Sequence, residues 1–167
     1  MDEKLLLIRK SKPEDLQTFT DIYNQAIATK RCTCDMKILT VEDRKEWFNE
    51  HQGERYPLYA CEYDGKVIGY ISLSRYKPRE ALDGLAEVSY YLDFDYCHKG
   101  IGTNMLKFVL DEAKRIGFTA VVAVALGGND ASIGLVEKCG FKLWGRFPNV
   151  CNFDGRLDDH VYYGKHL

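Results

Sequence analysis

A chain of 167 residues, 46% of them apolar and 13% aromatic, can bury a substantial core and is expected to form a single domain over residues 1–167. Its 23 basic and 25 acidic residues leave a formal charge of −2 with both signs interspersed, so it lacks the basic stripe of a nucleic-acid-binding domain. The apolar run Leu5-Leu6-Leu7-Ile8 is too short and too closely flanked by charge for a signal peptide or membrane span, so a cytoplasmic protein without a membrane partner is expected.

A strand over residues 5–9 leads into Ser11-Lys12-Pro13-Glu14, where Ser11 with an acidic residue three positions later reads as a helix cap. Leu16, Phe19, Ile22, Tyr23, Ala26 and Ile27 then recur at three- and four-residue intervals, the mark of one buried helical face. Thr40 can cap a second helix containing Trp47 and Phe48. Pro57 opens a strand over residues 58–63, which Asp64-Gly65 turns into an antiparallel partner over residues 67–75. A polar loop over residues 76–84 precedes a strand over residues 86–92 and a glycine-rich turn. After the turn, Met105, Leu106, Val109, Leu110 and Ala113 form a continuous apolar helical face, closed by Gly117.

Residues 120–126 are all apolar, as suits a strand buried on both faces. Gly127-Gly128-Asn129 leads to a shorter helix over residues 131–139, and strands over residues 142–147 and 159–163 end the chain. The order β-α-α-β-β-β-α-β-α-β-β predicts an α/β (α+β) fold, a mixed sheet flanked by helices.

The turn Asp95-Tyr96-Cys97-His98-Lys99-Gly100-Ile101-Gly102 joins a strand to a helix, and such a turn is a ready anion site. Glycine lets backbone approach a ligand closely, and the first helical turn offers unpaired N–H groups at the positive end of its dipole. It is not a Walker loop, which needs Gly-Lys-Ser/Thr, nor a dinucleotide fingerprint, whose third glycine is replaced by Met105. A phosphate-bearing ligand is expected there, the alternative being a plain tight turn. Its remaining part would lie between the strand before the turn and the strand after the following helix. The six cysteines, Cys32, Cys34, Cys61, Cys97, Cys139 and Cys151, form no Cys-x-x-Cys pair and no zinc spacing, so free thiols and no metal are expected.

These residues resemble the GNAT superfamily of N-acetyltransferases over almost the whole chain, and within it the phosphinothricin and methionine-sulfoximine branch. Its phosphate loop, Gln/Arg-x-x-Gly-x-Gly/Ala, is matched by Cys97-His98-Lys99-Gly100-Ile101-Gly102 with Cys97 in the leading place. Branch likenesses are Ile22-Tyr23-Asn24, Arg79-x-Ala81, Ala86-Glu87-x-Ser89-x-Tyr91, Asn129-x-x-Ser132, Glu137-x-x-Gly140-Phe141 and Gly155-Arg156 with Asp159.

The resemblance implies a mostly antiparallel central sheet and acetyl-coenzyme A as cosubstrate. It also implies direct transfer of the acetyl group to the amine of a small molecule, an amino acid or analogue, and a homodimer sharing a sheet edge. Backbone groups of Tyr90, Tyr91 and Leu92 would hold the pantetheine arm, and Cys97 to Thr103 the pyrophosphate. Asn129 and Ser132 would lie beside the pantetheine, with His98 and Lys99 either adding charge or facing solvent. Tyr90 and Tyr91 point to opposite strand faces, so one at most is expected to line the cleft.

Glu87 matches the branch's catalytic base, and a half-buried carboxylate has its pKa raised toward the working range; the alternative is a solvated strand-end carboxylate. Arg75 and Arg79 are candidates to hold an acceptor carboxylate. Where the family carries a Tyr or His to protonate the leaving thiolate, this chain has Val136, which leaves water, Cys139 or Ser132 as donor. The branch's Arg-x-Ala-Tyr reads Arg79-Glu80-Ala81-Leu82, and its Ser-Thr segment reads Lys30-Arg31-Cys32-Thr33-Cys34. The lost Tyr and added cations argue against phosphinothricin itself. A protein or peptide amine acetyltransferase, or a weakly catalytic acyl-coenzyme-A-binding protein, are the alternatives.

Overall fold

In the computed structural model, which describes residues 1–167, the elements are β1 (Leu6–Lys10), α1 (Leu16–Thr29), α2 (Val41–Glu50), β2 (Leu58–Tyr63), β3 (Lys66–Arg75), β4 (Leu85–Leu92), α3 (Ile101–Ile116), β5 (Ala120–Leu126), α4 (Asp130–Lys138), β6 (Lys142–Phe153) and β7 (Arg156–His166). The strands form one sheet in the order β1-β2-β3-β4-β5-β7-β6. Every neighbouring pair is antiparallel except β4 and β5, which the helix α3 connects.

Strand alternation distributes the core between two faces. Leu58 and Ala60 of β2 pack with Leu16, Phe19, Ile22 and Ile27 of α1 and Phe48 of α2. Tyr59 and Cys61, one residue out of phase, pack on the other face with Ile101, Met105, Leu106 and Val109 of α3. Arg44 locks α2 onto the first layer: its guanidinium lies 3.8 Å from the Trp47 ring centroid and 4.3 Å from that of Tyr23.

The helix starts show how local chemistry selects boundaries. Thr40 and Asp43 form the expected reciprocal cap, Thr40 N–H donating to Asp43 Oδ2 at 2.8 Å and Asp43 N–H to Thr40 Oγ1 at 3.2 Å. The expected Ser11 cap is not made, because Pro13 opens a 3₁₀ turn (Pro13–Asp15) one residue later. There the Lys12 N–H donates to Asp15 Oδ2 at 2.7 Å, while Arg9 on β1 donates to both Asp15 oxygens at 2.8 and 2.9 Å. Burial alone would raise the Asp15 pKa, but these donors outweigh it and hold the carboxyl below its ordinary value.

Strands β6 and β7 run well beyond the segments 142–147 and 159–163 expected from sequence. Pro148 and Asn149 disfavour a regular strand, yet the hairpin accommodates them as a bulge between Phe147 and Cys151, with Asn149 at φ 55°. Asp159 holds the bulge by accepting from the Asn149 N–H at 2.8 Å, and proline is tolerated because β6 is an edge strand. The turn is Asp154-Gly155, both residues at positive φ, the same two-residue solution as Asp64-Gly65.

Leu106 has no exposed surface and sits at the centre of the α3 layer. Leu106→Ala is expected to lower unfolding free energy by about 2–5 kcal/mol in urea titration; a loss under about 1 kcal/mol would contradict this packing.

Candidate active site

The ladder between β4 and β5 ends at Val88 opposite Ala123. Beyond it β4 continues to Leu92 paired with β3 alone, and β5 to Leu126 paired with β7 alone. Backbone groups of residues 89–92 that face β5 therefore have no strand partner, and unpaired peptide groups demand a ligand or water. Between the parted strands lies a cavity of about 670 Å³.

At one end of the cavity the glycine-rich turn opens α3. Gly100 stands at φ 82° as the residue before the helix, with no side-chain cap and no acidic residue in the first turn. A Cβ at Gly100 would meet no atom within 4 Å, so the turn faces open space. Cys97, His98, Gly100, Gly102 and Thr103 line this end. The Ile101 side chain is instead fully buried in the core, leaving only its backbone N–H at the helix start. Lys99 points away, its Nζ 5.4 Å from the Tyr96 ring centroid in a separate small cavity with Met1 and Tyr63. Cys97 donates its thiol to the Asp93 carbonyl at 3.7 Å.

Along the cavity walls stand Tyr90, Tyr91 and Leu92 from β4, and Asn129 and Ser132 from the start of α4. Both tyrosines line it, contrary to the expectation that one at most would, because the parted strands open the sheet to both of its faces. Tyr90 turns toward α4, its hydroxyl 2.7 Å from Ser132 Oγ, and Tyr91 toward α1, its ring 5.0 Å from that of Tyr23. Burial pushes both phenols up to about 12, so both stay protonated at neutral pH. Asn129 caps α4 by accepting from the Ser132 N–H at 3.2 Å, which fixes its carbonyl and leaves its amide N–H groups to a ligand.

Glu87 lies in the last paired stretch of β4, between Ser74 of β3 and Val122 of β5. Its neighbours Ala86 and Val88 are buried against α3, so its side chain stands on the opposite face of the sheet, half-buried. Burial raises its pKa above the ordinary carboxylate value, and the nearby Lys77 partly opposes the rise. Tyr162 of β7 shares this face, its own pKa raised by burial and by Tyr76, Glu87 and Cys34.

Arg75 is taken by Asp83 at 2.9 Å, and Arg79 is exposed at the edge of the 80–82 turn, so neither is brought to Glu87. The cation that Glu87 feels is Lys77, which no motif marked. Ala26, Cys32 and Phe94 also line the cavity from the α1 side. Ala26 was readable only as a core position, and nothing local to Cys32 or Phe94 points to a cavity.

Residues 6–142 match the family described as acetyltransferase (GNAT) domain. The chain belongs to this family. Among relatives of the acetyltransferase, YwnH of Bacillus subtilis (strain 168), provisionally named a phosphinothricin acetyltransferase, is 37% identical over 97% of this chain and 99% of its own. An L-methionine sulfoximine/L-methionine sulfone acetyltransferase of Pseudomonas paraeruginosa is 33% identical over 96% of this chain and 94% of its own. A solved phosphinothricin acetyltransferase of Sinorhizobium meliloti, in complex with AcCoA, superposes with a TM-score of 0.92 at 27% identity, covering 98% of this acetyltransferase and 89% of that chain.

With coenzyme A as the probe, Gly100→Val is expected to abolish binding in calorimetry, since its side chain fills the space at the turn. The left-handed backbone adds about 1–2 kcal/mol of strain. Undiminished binding by a folded Gly100→Val protein would remove this turn from the site.

Proposed function

We propose that the protein is a cytoplasmic acetyl-coenzyme-A-dependent N-acetyltransferase of one catalytic domain, acting on the primary amine of an amino acid or amino-acid analogue. The observation that carries this reading is the parting of β4 from β5, which opens a cavity from the uncapped start of α3 to Val88, the residue after half-buried Glu87. The substrates named for the methionine sulfoximine acetyltransferase and the cosubstrate of the Sinorhizobium structure support it. Exposed Leu82, where the branch carries Tyr, and the pairing of Arg75 with Asp83 favour an acceptor other than phosphinothricin.

In this reading the pyrophosphate binds the N–H groups of the Gly100 turn and the start of α3. The pantetheine arm completes the unpaired edge of β4 at Tyr90, Tyr91 and Leu92, and the Asn129 amide flanks it. The acceptor amine approaches from the Glu87 face, and Glu87 takes its proton directly or through water. Nitrogen then bonds to the thioester carbon, the carbon–sulfur bond breaks, and the electron pair leaves on sulfur. Val136 is buried and cannot donate to that thiolate. Of the two side chains left open by the sequence, Cys139 is a core thiol raised by burial, whereas Ser132 lines the cavity in contact with the Tyr90 hydroxyl. The Tyr90–Ser132 pair is the donor.

We also read the protein as a homodimer formed along the free edge of β6, where Leu143, Trp144 and Phe147 are 47%, 45% and 52% exposed. Sedimentation should give twice the chain mass, and Trp144→Glu should give the monomer; a wild-type monomer at micromolar concentration would refute this.

The function is tested by thiol release from acetyl-coenzyme A with amino acids, methionine sulfoximine, methionine sulfone, polyamines and peptides. Turnover confined to amino acids and their analogues is expected; turnover on peptides alone would overturn the acceptor class. Glu87→Gln should bind coenzyme A within a few-fold of wild type and lose about 100-fold in transfer. Wild-type kcat/KM should fall as pH drops through the raised pKa of Glu87, because only the carboxylate accepts a proton. The stability sign is opposite. The folded state holds this proton more tightly than the unfolded state, so the group favours folding fully at low pH and loses that contribution as pH rises through the folded value. Glu87→Gln should therefore be at least as stable as wild type at neutral pH, and an equally active, pH-independent variant would remove Glu87 from the mechanism.

A further inference from the structure

Two thiols far apart in sequence meet at the rim of the acceptor face. Cys34 lies in the irregular segment between α1 and α2, and Cys151 in the outer half of β6, past the bulge; their sulfurs are 3.8 Å apart. Cys34 is exposed and Cys151 partly exposed, whereas Cys61 and Cys139 are buried in the core. Charged contacts hold the two segments together independently of the sulfurs. Lys30 Nζ lies 2.7 Å from Asp154 in the β6–β7 turn, and the Arg156 guanidinium donates to the Lys30 carbonyl.

We propose that Cys34 and Cys151 form a reversible intramolecular disulfide, a modification site that takes a small-molecule disulfide as its oxidant. A disulfide bond is about 2.05 Å long, so closure asks the sulfurs to move together by about 2 Å, within reach of side-chain rotation in a segment free of helix or strand. Burial, the neighbouring Cys151 thiol, and Asp35 and Asp158 push the Cys34 thiol up to about 12. One of the two cysteines, as its thiolate, attacks one sulfur of the oxidant, forming a mixed disulfide and expelling one thiolate. The remaining cysteine loses its proton and attacks the mixed disulfide, expelling the second half. Two protein thiols and one small disulfide thus become one protein disulfide and two small thiols, with two electrons passing to the reagent.

The bridge ties together two parts of the site. The α1–α2 segment carries Cys32 into the cavity and Thr33 to the Tyr23 hydroxyl at 2.9 Å, while β7 carries Tyr162 on the Glu87 face. Resting on the site reading above, the oxidised protein admits acceptor more slowly, because its rim can no longer open.

The test treats the reduced full-length protein with oxidised glutathione. Free thiols should fall from six to four, a non-reducing peptide map should show Cys34 joined to Cys151, and the melting temperature should rise by about 5 °C or more, all reversed by dithiothreitol. Cys34→Ser and Cys151→Ser should each abolish the bridge and the rise while melting close to the reduced parent. A glutathione adduct persisting on Cys34 or Cys151, or any other cysteine pairing, would overturn the proposal. Acceptor kcat/KM should drop severalfold on oxidation with acetyl-coenzyme A affinity unchanged. A mapped bridge with unaltered turnover would refute the gating, and a mapped bridge without acetyl transfer on any acceptor would refute only the catalytic reading.

Discussion

The end of the β4–β5 ladder at Val88 and Ala123 is the constraint on which the rest of the site depends. A sheet interrupted in its middle exposes two lines of backbone donors and acceptors where a continuous sheet would satisfy them. The outer ladders hold the two parted strands in place: β4 keeps β3 from Ala86 to Leu92, and β5 keeps β7 from Ala120 to Leu126. Helices flank the gap on both faces, and a cavity of about 670 Å³ lies in it. At one end the cavity reaches the start of α3, where Gly100, Gly102 and Thr103 line it, and at the other it reaches Val88, the last residue of β4 paired with β5; Glu87, one residue earlier, is not among the lining residues.

The Gly100 turn and Glu87 use opposite electrostatic devices. At the helix start, partial positive charge is left uncompensated, with neither side-chain cap nor acidic residue in the first turn, in contrast to the fully capped α2. At Glu87 a carboxylate is placed where burial disfavours its charge, with Lys77 alone opposing the penalty. Both choices cost stability in the unliganded protein. Departures of this kind from good local design are expected at functional rather than structural positions.

Much of this was legible in sequence where the determining interactions are local. The apolar repeat from Met105 to Ala113, the Thr40–Asp43 cap, the Asp64-Gly65 hairpin and the glycine turn each depend on residues within a few positions of one another. The miss at Ser11 arose because Arg9, reaching across from β1, together with Pro13, made Asp15 rather than Glu14 the useful acceptor. The short reading of β6 failed for a related reason: Pro148 and Asn149 are breakers locally, but a partner strand and the Asp159 carboxylate hold them in the hairpin. The isolated alternation of Tyr90 and Tyr91 correctly gave opposite directions, yet whether both line a cavity depended on where β5 turns away.

The sequence by itself determined the order of elements, the family and the position of the glycine turn before α3, since periodicity, turn chemistry and spaced motifs are properties of contiguous residues. Only the tertiary structure decided that Arg75 is spent on Asp83, that Lys77 is the cation near Glu87, that Ser132 meets Tyr90 and that Cys34 meets Cys151. Those outcomes depend on distances between segments tens of residues apart. Such distances are set by strand register and helix packing summed over the whole sheet, and no local pattern encodes them.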